Sequence, residues 1–310
     1  MCLQVIVVLS RVTVGFDSGC GSKRSSFNKS LMRSATSTKP EPLFLEGSLG
    51  RLFAIHHPPQ TRDVKGCMLY VQPLGEEMNR CRQMASLQAQ QFAQLGYGTL
   101  LLDLYGTGDS EGEYREGTWD GWKADLRAGL SWLTSRNYPE IMLWGVRHGA
   151  LLALELAREM PPPRRLLLWQ PTVSGQAALT QVLRIQMAGN IADQSNESKE
   201  GTKALRDRLA TGETVELSGY ETSGALAGGL DRARIADCFD LTEMHVTWFD
   251  VLASQGQEAS RGSTKTKAEW EEAGATLRYE TVVGPAFWQV WERVVASDLI
   301  ARTSASLAAR

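Results

Sequence analysis

The chain lacks most of the features that would fix a function at a glance. No apolar run approaches the ~20 residues that a membrane-spanning helix needs, and the longest near the N-terminus is VIVVL. No block of one charge sign appears, with 33 Lys+Arg against 35 Asp+Glu. That balance excludes the basic footprint of a nucleic-acid binder and a polybasic membrane anchor. The five cysteines, Cys2, Cys20, Cys67, Cys81 and Cys238, have no metal-ligand spacing, and their odd number reads as free thiols in a reducing compartment. No metal site is expected, and the cytoplasm is the expected location. MCLQVIVVLS has neither a basic n-region nor a clear cleavage site, which argues against a signal peptide. Histidine is scarce too: there are four, His56, His57, His148 and His245.

What is present divides the chain. Residues 1–37 are rich in Ser, Gly, Thr and basic residues without a sustained period, so a disordered extension is expected there. An alternative reading starts translation at Met32. LFLEGSLGRLFAIHHP alternates apolar and polar positions about a glycine-containing turn, the pattern of an antiparallel hairpin. GCMLYVQPL, GTLLLDLY, IMLWGV, RLLLWQP and HVTWFDV are nearly continuous apolar runs, expected of parallel strands covered on both faces. ATLRYETVVG alternates more and is expected near an edge.

Helical stripes fall between these strands. Cys81, Met84, Phe92 and Leu95 share one face before Gly96, and Trp119, Trp122, Leu126, Leu130 and Leu133 form another behind Thr118 as N-cap. A third helix runs from His148 to Met160, ahead of Pro161. The alternation predicts a doubly wound α/β domain. About seventy residues between RLLLWQP and HVTWFDV are too many for a bare connection. They predict a helical cap at 175–240 inserted into a core made of 38–174 and 241–310.

The stretch LWGVRHGALLA carries the central question. A hydrolase that presents its nucleophile on a strand-turn-helix elbow uses G-x-S-x-G. Here the turn is Gly145-Val146-Arg147-His148-Gly149. The glycines are kept, but a guanidinium cannot accept an acyl group. After the last strand, where such enzymes carry a histidine, the chain has Gly284-Pro285-Ala286-Phe287. A Ser-His-acid triad at the usual positions is therefore ruled out by residue type. Asp250, near the usual place of the acid, reads as a solvated loop carboxylate.

The run QPLGEEMNRCRQMASLQAQQFAQLGYGTLLLDLYGTGDSEGEYREGTWDGWKADLRAGLSWL, then LWGVRHGALLA and SGYETS, resembles hydrolase 2 of the exosortase A system, a bacterial α/β-hydrolase-like family. The likeness extends from about Pro42 to Trp291. It implies the α/β-hydrolase fold and a role beside exosortase and exopolysaccharide genes. The family's elbow pattern carries arginine as well, so its name does not bring a reaction with it.

Two readings of Arg147 stay open. In one, it stands at a helix N-terminus under the cap and, with His148 and the Gly75-Glu76-Glu77 loop, binds the anionic head of an acyl or lipid-linked ligand. In the other, Glu76, Glu77 or Asp109 pairs with it and fills a relic site, Glu77 being the expected partner. Asp109 in Gly106-Thr107-Gly108-Asp109-Ser110 reads as a turn former, and those glycines lack nucleotide-loop spacing, so no cofactor is expected. Cys81 reads as a small buried hydrophobe. Trp144, Trp169 and Trp248 read as core, and His148 as a helix-start residue pointing sideways. The alternative function is an esterase or thioesterase with rearranged residues, Ser110 or Cys81 with His148. A homo-oligomer or a pathway partner protein is compatible with either.

Overall fold

A computed structural model describes residues 39–192, 201–237 and 243–308. The predicted N-terminal extension, the start at Met32 and Cys2, Cys20 and Cys238 lie outside the described residues, as does most of the polar loop at 193–200.

The predicted hairpin is formed by β1 (Glu41–Glu46) and β2 (Arg51–His57), paired antiparallel about the turn Gly47–Gly50. Then follow β3 (Gly66–Val71), α1 (Glu76–Gln94), β4 (Tyr97–Leu102), α2 (Trp119–Ser135), β5 (Ile141–Val146), α3 (Gly149–Ala157) and β6 (Arg164–Trp169). The chain next makes its long excursion: α4 (Gly175–Ala192), α5 (Thr202–Ala210), a small hairpin of β7 (Val215–Leu217) and β8 (Tyr220–Thr222), and α6 (Gly224–Arg232). It returns through β9 (Met244–Leu252), α7 (Arg261–Glu272), β10 (Thr276–Val283) and α8 (Ser297–Ala308). The sheet has eight strands in the order β1-β2-β4-β3-β5-β6-β9-β10. β2 pairs antiparallel with β1 and β4, and all other pairs are parallel. β10 is an edge strand, as its alternating pattern predicts.

The apolar runs are continuous because both faces of the central strands are covered. In β3, Cys67, Leu69 and Val71 join the core beneath α2 and α3, while Met68 and Tyr70 join the core beneath α1 and α8. In β5, Leu143 faces the first and Trp144 and Val146 the second. Trp144, Trp169 and Trp248 are buried as expected. Thr118 caps α2, its hydroxyl accepting from the Gly121 N–H at 3.0 Å. Among the described residues no helix is long and apolar enough to cross a membrane.

Two expectations are corrected. Asp250 is not a solvated loop carboxylate: it lies within β9, 1% exposed, and accepts from Trp248 Nε1 at 2.7 Å and Tyr279 Oη at 2.8 Å. Two donors make burial of a carboxylate tolerable there. The excursion is also not wholly helical. Ser218 and Gly219 both adopt positive φ (52° and 84°), the two-residue turn that joins right-handed twisted strands, and V-E-L before it and Y-E-T after it alternate as strands do.

A second buried acid generates a pH prediction. Asp125 on α2 is fully buried and accepts from the Tyr105 N–H at 2.8 Å, while its other oxygen has no partner. Burial raises its carboxyl from 3.8 to about 6, and the Tyr105 hydrogen bond opposes the rise. A carboxyl raised on folding stabilises the protein below its unfolded value near 4, and that contribution disappears as pH climbs through 6. Asp125→Asn keeps the acceptor and cannot ionise. Denaturant unfolding should show it more stable than the parent by about 2–3 kcal/mol above pH 7, with the two converging below pH 4. Parallel stability profiles would show that Asp125 does not titrate in this way.

Candidate functional site

The elbow between β5 and α3 positions everything else. Arg147 adopts φ 54°, a left-handed conformation that costs a non-glycine residue of order 1 kcal/mol or more. The flanking glycines explain why the chain accepts it. A Cβ on Gly145 would stand 2.6 Å from the Ala150 Cα, and one on Gly149 would stand 2.2 Å from the Val71 carbonyl oxygen and 2.4 Å from that of Gln72. The turn is thus pressed against β3 and α3 with no room for side chains beside it. Backbone bonds lock it: the Arg147 N–H donates to the Trp169 carbonyl, and the Arg147 carbonyl accepts from Thr172 and Ala150. The Arg147 side chain is the one the geometry drives outward, into a cavity of about 970 Å³.

That cavity lies between the elbow and the excursion. Leu179, Val182 and Ile185 of α4, Leu217 of β7, and Leu226 and Leu230 of α6 supply apolar lining, and Trp288 and Trp291 from the segment after β10 add to it. Gly75, Glu76, Glu77, Arg147 and His148 all line it, so the structure brings together the five residues singled out from the sequence. Arg147 is also paired. Its Nε and Nη2 donate to the two Glu77 carboxylate oxygens at 3.0 and 3.2 Å, and Nη1 donates to the Gln170 carbonyl at 3.3 Å. The guanidinium lies 5.1 Å from the centroid of the Trp288 ring. Arg147 therefore both faces a cavity and is bonded to Glu77, the partner expected from the sequence.

His148 is set beside Glu77. It is 5% exposed and its Nδ1 sits 3.5 Å from Glu77 Oε2, without the alignment of a hydrogen bond. Burial lowers its pKa; Glu77 opposes this and Arg147 reinforces it. Ser110, the weaker catalytic candidate, is corrected. Its Oγ donates to the Asp103 carbonyl at 2.6 Å and accepts from the Phe53 N–H at 2.8 Å, which ties the Gly106–Ser110 loop to the β2 edge, and it does not line the cavity. Asp109 belongs to the same loop, its N–H donating to Asp103. Cys81 is buried, and burial, helped by Glu77, pushes its thiol well above the usual range, so it holds its proton and is no nucleophile.

Two participants were not found from the sequence. Tyr114 is one. Its hydroxyl accepts from the Gly75 N–H at 3.1 Å, on the β3–α1 loop where this kind of elbow draws an oxyanion donor. Tyr220 of β8 packs edge-on against it at 4.8 Å. Trp288 is the other, buried three residues beyond Pro285 and set against the guanidinium. Two aromatic residues near a glycine-rich loop were the available signals, but neither implies a contact. Among the described residues, no group of three or more His, Cys, Asp or Glu side chains could hold a metal.

No family model matches the chain, and no curated protein is similar to it in sequence. Solved structures are similar in fold. Est1E from Butyrivibrio proteoclasticus, solved with ferulic acid bound, superposes with a TM-score of 0.57 at 13% identity over 86% of this chain and 100% of that one. XC6422 from Xanthomonas campestris, described as an α/β serine hydrolase without a lid, gives 0.50 at 15% over 87% and 92%. The hypothetical protein PA2218 from Pseudomonas aeruginosa gives 0.56 at 13% over 86% and 93%. The chain has the α/β-hydrolase fold. Identities this low carry the fold and no reaction.

The Arg147–Glu77 pair is testable in isolation from any ligand. Each side chain is about one-fifth exposed, and the N-terminus of α3 adds positive potential beside the cation. Glu77→Gln should destabilise by about 1–3 kcal/mol, because it leaves Arg147 partly buried without its counter-charge. Arg147→Met in the Glu77→Gln background should recover part of that loss, a coupling of about 1–2 kcal/mol in a double-mutant cycle followed by thermal unfolding. Strict additivity would mean that the pair is not holding the elbow.

Proposed function

We propose that this protein binds an amphipathic ligand, an acyl or lipid-linked molecule with an anionic head, and does not hydrolyse it through a serine triad. The supporting observation is one arrangement: an apolar-lined cavity of about 970 Å³ ends on the Arg147–Glu77 pair, at the point where the elbow would otherwise project a nucleophile. The excursion from 175 to 240 serves as a cap that shelters the apolar part of the ligand. The two Arg147 N–H groups that are left over from five, once Glu77 and Gln170 have taken three, receive oxygen acceptors on the head. The resemblance to the exosortase A system hydrolases supplies the setting, a cytoplasmic step in surface-polysaccharide and protein-sorting pathways.

Three features argue against triad chemistry. Arg147 replaces the nucleophile, Pro285 stands where the base would be, and the Gly75 N–H is engaged by Tyr114. The rearranged-esterase reading finds no support in Ser110 or Cys81, since the first is committed to backbone partners and the second is a buried, protonated thiol.

Purified protein should take up a dansylated fatty acid, and long-chain carboxylates should displace it. Ala178→Trp on α4, which puts an indole into the cavity, should weaken binding at least tenfold without lowering the melting temperature appreciably. A fluorophosphonate probe should leave the parent protein unlabelled, and p-nitrophenyl esters should turn over no faster than in buffer. Stoichiometric labelling or clear turnover would overturn the proposal.

A further inference from the structure

Among the described residues, the charged ones lining the cavity are Arg80, Arg147, Glu76 and Glu77, two of each sign. All four are paired. Arg80 reaches Glu76 at 3.4 Å and donates as well to the Gln289 carbonyl, while Arg147 and Glu77 form the bidentate pair. A ligand anion placed against Arg147 therefore does not meet a free cation. It meets a neutralised one and introduces a negative charge next to Glu77, in a partly desolvated place where like charges are costly.

Among the described residues, His148 is the one lining residue that can add the missing positive charge near neutral pH. It borders the cavity, its Nδ1 lies 3.5 Å from Glu77 Oε2, and neither ring nitrogen makes a hydrogen bond among the described residues. Resting on the reading of the cavity as an acyl-anion site, we propose that a long-chain carboxylate seats beside Arg147 only together with one proton, which His148 carries. The specificity this gives is for an acid that arrives with its proton, or for an uncharged polar head that needs none.

The groups acting on His148 fit this exchange. Glu77 on α1 favours the imidazolium, and Arg147 on the elbow and burial disfavour it. Gln170–Ser174 after β6 carry no titratable residue, and Cys81, one helical turn beyond Glu77, holds a thiol pushed far out of range by burial. Burial is the largest of these influences and disfavours the charged ring. A second carboxylate in contact with the same cluster reverses that balance.

The test uses the unmodified protein. Laurate is fully ionised in water between pH 6.5 and 8.5, so binding without proton uptake gives a Kd that is flat over this range. Linkage through His148 makes the laurate Kd rise, approaching tenfold per pH unit, while the Kd for 1-dodecanol stays flat. Titration calorimetry in phosphate and in Tris should count up to one proton taken up per laurate. His148→Gln should abolish both the slope and the uptake. Laurate that binds with no slope and no uptake overturns the proposal while leaving the cavity reading intact. A slope that survives in a folded His148→Gln protein also overturns it, since the proton is then carried elsewhere. If neither laurate nor dodecanol binds, the cavity reading fails and this proposal fails with it.

Discussion

The turn at Arg147 constrains the whole site. A left-handed residue between two glycines that have no room for a Cβ can point its side chain in one direction only. The strand behind it is paired with β3 on one side and β6 on the other. Whatever occupies position 147 is presented to the space above the carboxyl edge of the sheet, where open α/β sheets bind their ligands. A serine there would be a nucleophile. An arginine, with its reach, delivers its charge some ångströms farther, to Glu77 at the start of α1.

Other departures from triad chemistry are physically connected to this one. A guanidinium needs a carboxylate, and Glu77 in the first turn of α1 is stabilised there by the helix dipole as well as by the cation. A histidine facing the elbow from the β10 side would meet that cation; instead Trp288 offers an aromatic surface, which suits a positive group. The Gly75 N–H donates to the Tyr114 hydroxyl, which is buttressed by Tyr220 of the excursion. Local choices that agree with one another across separate elements are what a specified structure shows, and here they agree on a paired cation.

Much of this was legible in the sequence, and the reasons differ by element. Continuous apolar runs gave the buried parallel strands, because residues facing opposite ways are both covered; Met68 and Leu69 lie in different cores. Thr118 was readable as a cap from its own chemistry. Arg147 and Glu77 were readable because an ion pair near a cavity obeys simple charge arithmetic. Asp250 was misread because proximity to a strand end in sequence says nothing about two donors, Trp248 and Tyr279, that arrive from the same and the neighbouring strand. The direction of His148 was misread because a first-turn residue ordinarily points along the helix flank, whereas here α3 begins immediately after a strained turn that rotates it toward Glu77. Tyr114 and Trp288 were missed because their roles exist only as tertiary contacts.

A paired arginine and a binding site are not alternatives. Had the site merely been filled, α4 and α6 would have closest packing to gain by settling onto the ion pair, yet Leu179, Val182 and Leu226 face it across a wide space. Glu77 removes most of the long-range pull that Arg147 would exert on an anion, but it also fixes the guanidinium plane, and Gln170 and Trp288 hold that plane from two further directions. The loss is in field strength and the gain is in preorganisation, since a ligand does not have to order a flexible side chain. Such a site discriminates by the positions of a few acceptors and by the net charge it can tolerate. On the proposed reading, selection would follow geometry and proton balance, where a bare cation would select by charge alone.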